Sequence, residues 1–151
     1  MSEPLVIVGT GIAGATAALT LRSEGFDGRI VMIGDDPSAP YRRPPLSKEV
    51  LRGGQAPSRT LLKPVGHWAD HGIELLTDAT VTELDPAARK ITLTGGVRIT
   101  YHQLLLATGG RPRRLPQTSG LRAVHHLRTL ADAQALRGAL LRGGHVLVVG
   151  A

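Results

Sequence analysis

Three glycines near the start of the chain, Gly9, Gly11 and Gly14, keep the spacing G-x-G-x-x-G directly after the apolar run Leu5–Val8 and at the head of a helical pattern. In a turn that holds a dinucleotide, each glycine has its own task. Gly9 permits the tight turn, Gly11 lets the backbone approach a pyrophosphate, and Gly14 lets helix and strand pack closely. Ile12 and Ala13 belong to the same cofactor-binding turn, because a helix begun there offers unpaired N–H groups and about half a positive charge to phosphate. A ribose partner is expected about 20 residues later, at the end of the second strand. Asp35 closes "IVMIGD" twenty-one residues past Gly14, with Asp36 as its rival. A carboxylate there accepts hydrogen bonds from the ribose and repels a 2′-phosphate, which points to the AMP half of FAD or to NAD rather than NADP. In an ordinary α/β domain the same glycines would only make a turn.

Other chemistry is thinner. His67 and His71 are four apart, a spacing that brings two imidazoles together on a helix, but no third ligand is near and an exposed helical face is the better reading. No metal site is expected. Ser47 lacks a His–acid pair, which argues against a hydrolase. The sequence holds no cysteine, which removes disulfides, thiol catalysis and thiolate metal sites and agrees with a cytoplasmic setting. A formal charge of +6, from 18 Lys/Arg against 12 Asp/Glu, suits anionic partners. The densest basic cluster, Arg111, Arg113 and Arg114, has no interleaved aromatic platform, so nucleic acid is not expected as a partner.

A glycine turn of this kind works only when a strand, a helix and a second strand are built around it. Leu5–Val8 and Ile30–Ile33 are short continuous apolar runs, the pattern of strands buried on both faces. Between them Gly11 to about Glu24 reads as a helix with Ile12, Ala15, Ala18 and Leu19 on one side, completing a βαβ unit. Residues 35–60 are rich in Pro, Gly and charge. Pro44–Pro45 interrupts regular structure, and Ser47 is placed to cap a brief helix over 48–51. Residues 61–71 read as a short helix containing Trp68. Residues 80–101 then alternate with period two around the turns "DPAARK" and "GG", as a three-stranded antiparallel meander does. Leu104–Ala107 returns to the buried-strand pattern. Thr129, with Asp132 in the first turn, caps a helix from Leu130 to about Arg142, and the apolar run after Gly143–Gly144 is a final strand.

A length of 151 residues suits one domain, and 42% apolar with 20% charged residues fits a folded rather than a disordered chain. No apolar run reaches the ~18 residues that span a bilayer. The start lacks the basic region of a signal peptide. The expectation is a soluble, cytoplasmic protein with no membrane partner.

Four stretches follow the glycine turn in order: "PYRRPPLSKEVL" (40–51), "LLLATGGRPRRL" (104–115), "HLRTLADAQALR" (126–137) and "VLVVGA" (146–151). With them, essentially the whole chain resembles the N-terminal part of the FAD-dependent, pyridine-nucleotide-linked ferredoxin reductases, the putidaredoxin-reductase and biphenyl-dioxygenase-reductase type to which apoptosis-inducing factor is related. The resemblance implies FAD as cofactor, NAD(P)H as co-substrate and a ferredoxin-type iron–sulfur protein as electron acceptor. Asp35 matches the acid that binds the adenosine ribose. Arg43 and Lys48 match a basic pair at the FAD, with Lys48, the catalytic candidate, near the flavin ring. Val81 matches a position whose backbone meets the adenine, Ala107, Thr108 and Gly109 match a turn against the cofactor, and Arg128 matches a further flavin-side arginine. The flavoprotein disulfide reductases that resemble this fold need a cysteine pair, which is absent here.

The expected fold is therefore α/β: a Rossmann-like FAD-binding βαβ with a parallel sheet, plus a three-stranded antiparallel meander. Residues 1–115 are the expected FAD-binding part. Residues 116–151 are expected to be a linker, a helix and the first strand of an NAD(P)-binding domain that breaks off inside its own glycine turn, so the chain alone is expected to turn over little or not at all. Two other readings stay open: a non-catalytic adenine-dinucleotide-binding module, and part of an NADH-oxidase-like or nitrite-reductase-like flavoprotein.

Overall fold

The computed structural model describes residues 3–150. In chain order the elements are β1 (Leu5–Val8), α1 (Ile12–Ser23), β2 (Ile30–Ile33), α2 (Glu49–Arg52), α3 (His67–Asp70) and β3 (Ile73–Leu76). Then come β4 (Val81–Asp85), β5 (Lys90–Leu93), β6 (Arg98–Thr100), β7 (Gln103–Leu106) and α4 (Leu130–Leu140). The described residues divide into two compact units. One runs to Arg42 and resumes over Leu61–Gly110; the other comprises Arg43–Thr60 and the residues from Arg111 on.

In the first unit four strands form a parallel sheet of order β3-β2-β1-β7, in register Leu5↔Ile30, Leu5↔Gln103 and Ile30↔Ile73. The continuous apolar runs are explained by what covers each face. Val6, Val8, Val31 and Ile33 point to one side, where Ile91, Leu93 and Tyr101 close a core. Ile7, Ile30, Met32 and Ile73 point to the other, against Ala15, Ala18 and Trp68. Strand residues alternate between faces, so a strand covered on both faces has no polar position left. The antiparallel sheet, order β4-β5-β6, is covered on one side only and keeps its alternation, with Ile91 and Leu93 buried and Lys90 exposed.

Arg22 ties the back of this unit together. Its guanidinium donates to the carbonyls of Phe26 (2.6 Å), Gly28 (2.8 Å), His71 (2.8 Å) and Gly72 (2.7 Å). One side chain thus joins the end of α1, the Gly25–Gly28 turn and the turn before β3. A planar cation with five donors suits this task, and a lysine cannot reproduce it.

In the second unit α4 packs on α2 and on a 3-10 turn over Pro44–Ser47, burying Leu46, Val50 and Ala133. Thr129 and Asp132 form a reciprocal capping box at the start of α4: the Thr129 Oγ1 accepts from the Asp132 amide at 3.1 Å, and the Asp132 carboxylate accepts from the Thr129 amide at 2.8 Å. Pro44 and Pro45 fall in the first positions of their turn, where a missing N–H costs no hydrogen bond.

Several expectations need correction. Ile12 is exposed and leaves the apolar face of α1 to Ala15 and Ala18. The helix expected over 61–71 covers only His67–Asp70, because Pro64 and Gly66 delay its start. The helix expected over 48–51 covers Glu49–Arg52 instead, with Ser47 ending the preceding 3-10 turn rather than capping. Val146–Val149 is not a strand: its residues are 62–88% exposed and pair with no strand among the described residues. A single apolar run becomes a strand only when a neighbour takes its backbone groups.

Two outcomes follow from these contacts. Arg22→Ala should lower unfolding stability by on the order of 1.5–3 kcal/mol, with Arg22→Lys recovering only part of it, in urea titrations followed by circular dichroism. Asp132 is partly desolvated, which pushes its pKa up, but its hydrogen bonds from the Thr129 and Arg128 amides outweigh this and hold it below the ordinary carboxylate range. A depressed carboxyl stabilises the fold above its unfolded pKa and stops doing so as pH falls through the folded value. Thr129→Ala plus Asp132→Ala should therefore cost about 1–2 kcal/mol at pH 7, and the difference from the parent chain should shrink in acid below about pH 4.

Candidate functional site

The β1–α1 turn is shaped by what it cannot hold. Gly9 sits at φ +123°, and a Cβ added there would collide with the Ala107 carbonyl just past β7. The Gly9 amide donates to the Ile33 carbonyl at 2.7 Å and the Ala107 amide to the Val8 carbonyl at 2.7 Å, so the turn is pinned from both neighbouring strands. A Cβ at Gly14 would strike the Gly9 carbonyl. Gly11 differs: its backbone is extended, φ −75° and ψ −175°, and an added Cβ would meet nothing within 4 Å. The open space at Gly11 is a cradle that a side chain would fill.

Helix α1 starts at this cradle. Its first internal bond runs from the Ala15 amide to the Gly11 carbonyl at 3.0 Å, which leaves the amides of Ile12, Ala13 and Gly14 without helical acceptors. No side chain caps the helix, and its first turn contains no acid. Ile12 and Ala13 are exposed. Uncapped amides with the positive end of a 12-residue helix behind them, beside an open cradle, fit the diphosphate of a dinucleotide.

Asp35 and Asp36 have different surroundings. Asp36 accepts from the Tyr41 hydroxyl at 2.6 Å and from the Ser38 amide at 2.9 Å, so its carboxylate is engaged within its own loop. Asp35 is exposed, and its carboxylate takes no hydrogen bond or ion pair from any described residue. Of the two acids past β2, Asp35 is the one available to a ribose. The loop beneath is held by bonds from the Gly34 amide to the Leu76 carbonyl (2.9 Å) and from the Ala79 amide to the Gly34 carbonyl (2.9 Å).

In the same unit, Ala107 abuts Gly9, while Thr108 and Gly109 are exposed just beyond, with Gly109 at φ +68°. Val81 opens β4 at a bulge and is half-buried, its side chain packed against the core. The second unit contains Arg43, Lys48 and Arg128. Arg43 opens the Pro44–Ser47 turn and Lys48 follows its end, the Lys48 amide donating to the Pro45 carbonyl at 3.1 Å. Lys48 is exposed and Arg43 half-buried. The Arg128 amide donates to the Asp132 carboxylate at 3.0 Å, while its buried Nε has no partner among the described residues.

Sequence reasoning missed two features of the site. Thr10 is buried beneath Gly34, where a Cβ would meet its hydroxyl, so Gly34 closes the far side of the glycine turn. The Tyr41–Asp36 bond decides which aspartate is free, and only the adjacent "DD" hinted at a division of labour. An apolar groove of about 930 Å³ runs along α1 beside Leu104 and Leu105; it lacks charged lining and begins at Ile12 and Ala13, whose amides form the mouth. His67 and His71 stack at 3.9 Å, and partial burial, then His71 and Lys63, hold His67 below the usual imidazole range. No three potential metal ligands converge among the described residues.

Comparison with known proteins gives consistent matches. The family described as pyridine nucleotide-disulphide oxidoreductase matches residues 3–151. Rhodocoxin reductase of Rhodococcus erythropolis is 40% identical over 148 residues, 97% of this chain and 35% of that protein. The ferredoxin–NAD(+) reductase component of the biphenyl dioxygenase system of Paraburkholderia xenovorans (strain LB400) is 41% identical over 151 residues, 99% of this chain and 37% of that protein. Among solved structures, the covalent putidaredoxin reductase–putidaredoxin complex superposes with a TM-score of 0.87 at 38% identity, covering 92% of this chain and 34% of that one. The chain thus spans about a third of the length of the curated relatives it matches.

The three glycines should respond differently to alanine. Gly9→Ala and Gly14→Ala should lower the melting temperature by several degrees or prevent folding, since each Cβ meets backbone. Gly11→Ala should melt within about 2 °C of the parent chain in differential scanning fluorimetry, since its conformation and surroundings accept a methyl group.

Proposed function

The chain belongs to the pyridine nucleotide-disulphide oxidoreductase family, and from that premise we propose that it is the FAD-binding portion of an NAD(P)H-dependent flavoprotein that passes electrons to a ferredoxin-type iron–sulfur protein. The observation that carries the proposal is the open, uncapped turn at Gly11 with an unengaged carboxylate, Asp35, one strand away. The reductase names of the relatives support the redox part, and the absence of cysteine from these 151 residues means they supply no redox disulfide.

Bound FAD supplies hydride acceptance and electron release; these residues supply the grip. The Gly9–Gly14 turn, with the amides of Ile12 and Ala13, holds the diphosphate. Asp35 accepts from the adenosine ribose, and the Val81 backbone and the Ala107–Gly109 turn line the nucleotide. Arg43, Lys48 and Arg128 provide positive charge toward the flavin, where Lys48 favours added electron density by Coulomb attraction. Residues 1–115 carry the FAD-binding role, and residues 116–151 lead into an NAD(P)-binding region. A cytoplasmic setting belongs to the same proposal, supported by the lack of cysteine.

The test is calorimetric titration of the chain with FAD, ADP and 2′-phospho-ADP. ADP and FAD should bind, and the 2′-phosphate should weaken ADP binding by about tenfold or more. Asp35→Asn should weaken ADP by about 10- to 100-fold, the worth of hydrogen bonds to a charged group, and narrow the discrimination against the 2′-phosphate. An Asp36→Asn variant that loses discrimination while Asp35→Asn keeps it would reverse the assignment, and absence of any adenine-nucleotide binding would end it.

A further inference from the structure

Tyr41 is buried, and the backbone around it is fixed: Tyr41 bridges to Leu61, and the Leu62 amide donates to the Pro40 carbonyl at 2.9 Å. A buried ring on an anchored backbone holds its hydroxyl at one point, and that point lies 2.6 Å from the Asp36 carboxylate. A hydroxyl donating to a charged acceptor at this length makes a strong bond. The rest of Asp36 is also occupied. Its carboxylate accepts from the Ser38 amide at 2.9 Å, and its carbonyl accepts from the Asp78 amide at 3.2 Å. Asp78 makes that bond from the left-handed conformation, φ +53°, which few residues other than glycine adopt. On the other side of Asp35, the Gly34 amide donates to the Leu76 carbonyl and the Gly34 carbonyl accepts from the Ala79 amide, both at 2.9 Å. Asp35 is therefore held through both of its neighbours while its own side chain stays exposed.

From this arrangement we infer that Tyr41 is a positioning residue for ribose recognition: its hydroxyl keeps Asp36 within its own loop, so that Asp35 alone meets the ribose hydroxyls of an adenine nucleotide. The ribose role of Asp35 rests on the reading proposed above. Closing the loop does not require the hydroxyl, because the backbone bonds at Gly34, Pro40 and Tyr41 already do so. What the hydroxyl adds is direction. Without it the Asp36 carboxylate keeps one hydrogen bond among the described residues, from Ser38, and the peptide it shares with Asp35 is freer to turn. A contact of this kind has to be held within about 0.5 Å of its productive geometry by the groups behind it. The loss of the hydroxyl thus reaches the ligand through Asp35, with no contact from Tyr41 itself. Phenylalanine fills the same space in the core and lacks the hydroxyl.

The experiment titrates the full chain with ADP and with 2′,3′-dideoxy-ADP, which keeps the base and the diphosphate but offers Asp35 no ribose hydroxyl. Tyr41→Phe should weaken ADP about fivefold, the worth of one hydrogen bond, and change dideoxy-ADP by less than about twofold. Asp36→Ala removes the same bond from its other end and should give the same pattern. The double variant Tyr41→Phe/Asp36→Ala should lose no more than either single one, and in an Asp35→Asn background Tyr41→Phe should change ADP binding by less than about twofold. Equal weakening of the two nucleotides would make the Tyr41 bond a matter of stability only and overturn the inference. Additive losses, or unchanged ADP binding in variants shown by circular dichroism to be folded, would overturn it as well. The two proposals fail in different ways: if Asp35→Asn loses ADP while Tyr41→Phe keeps it, the positioning role alone is wrong, and a parent chain that binds no adenine nucleotide ends both.

Discussion

The carbonyl of Ala107, the Gly9 backbone and the Gly9 carbonyl facing Gly14 meet with no space for a side chain, and the positions of the other elements of the first unit follow from that contact. Because Gly9 lies against Ala107 at the end of β7, the turn after β1 leaves no room for a side chain there. Because Gly14 lies against the Gly9 carbonyl, α1 starts close to the strand that precedes it, and its first amides are left without a side-chain cap. Gly11, between these two tight contacts, meets nothing within 4 Å. The same three-glycine pattern thus combines two closed contacts with one opening, and the opening faces the positive end of the helix.

Polar groups divide in a parallel way. Asp36 is engaged by Tyr41 and Ser38, Asp132 by the Arg128 and Thr129 amides just before α4, and the Arg22 cation by four carbonyls. These groups organise turns and have little capacity left for a ligand. Asp35, the amides of Ile12 and Ala13, and most of the cations of the second unit have no such internal task. Leaving hydrogen-bonding groups and charges unengaged is tolerable only at the surface, where water serves them until a partner does. The groups available to a ligand are therefore those without a structural obligation.

Legibility in the sequence followed the same division. β1 and β2 were readable to the residue because an uninterrupted apolar run has one stable solution, a strand covered on both faces. The meander was readable because Thr and Lys alternating with Ile and Leu leave one face for water. The capping box at Thr129 and Asp132 was equally plain. What failed was context. Ile12 looked like core but is exposed in the first turn of α1, where it lines an open groove beside Leu104 and Leu105, and Val146–Val149 carries a strand pattern that is realised only beside a pairing neighbour. The choice between Asp35 and Asp36 rested on a hydroxyl five residues further on, and no periodicity reports such a bond.

A nucleotide turn made of backbone amides recognises a diphosphate and a ribose, and these are the same whatever the attached reactive group does next. The turn therefore carries little information about an electron acceptor. Discrimination among protein acceptors has to come from groups that the fold does not need. In the second unit the cations other than Arg52 have no ion pair among the described residues, and Arg111, Arg113, Arg114 and Arg122 are exposed beside leucine and valine in a segment whose regular structure is one 3-10 turn. Charge on such exposed side chains falls off over about 8 Å at physiological salt, so it acts only on what comes close to it.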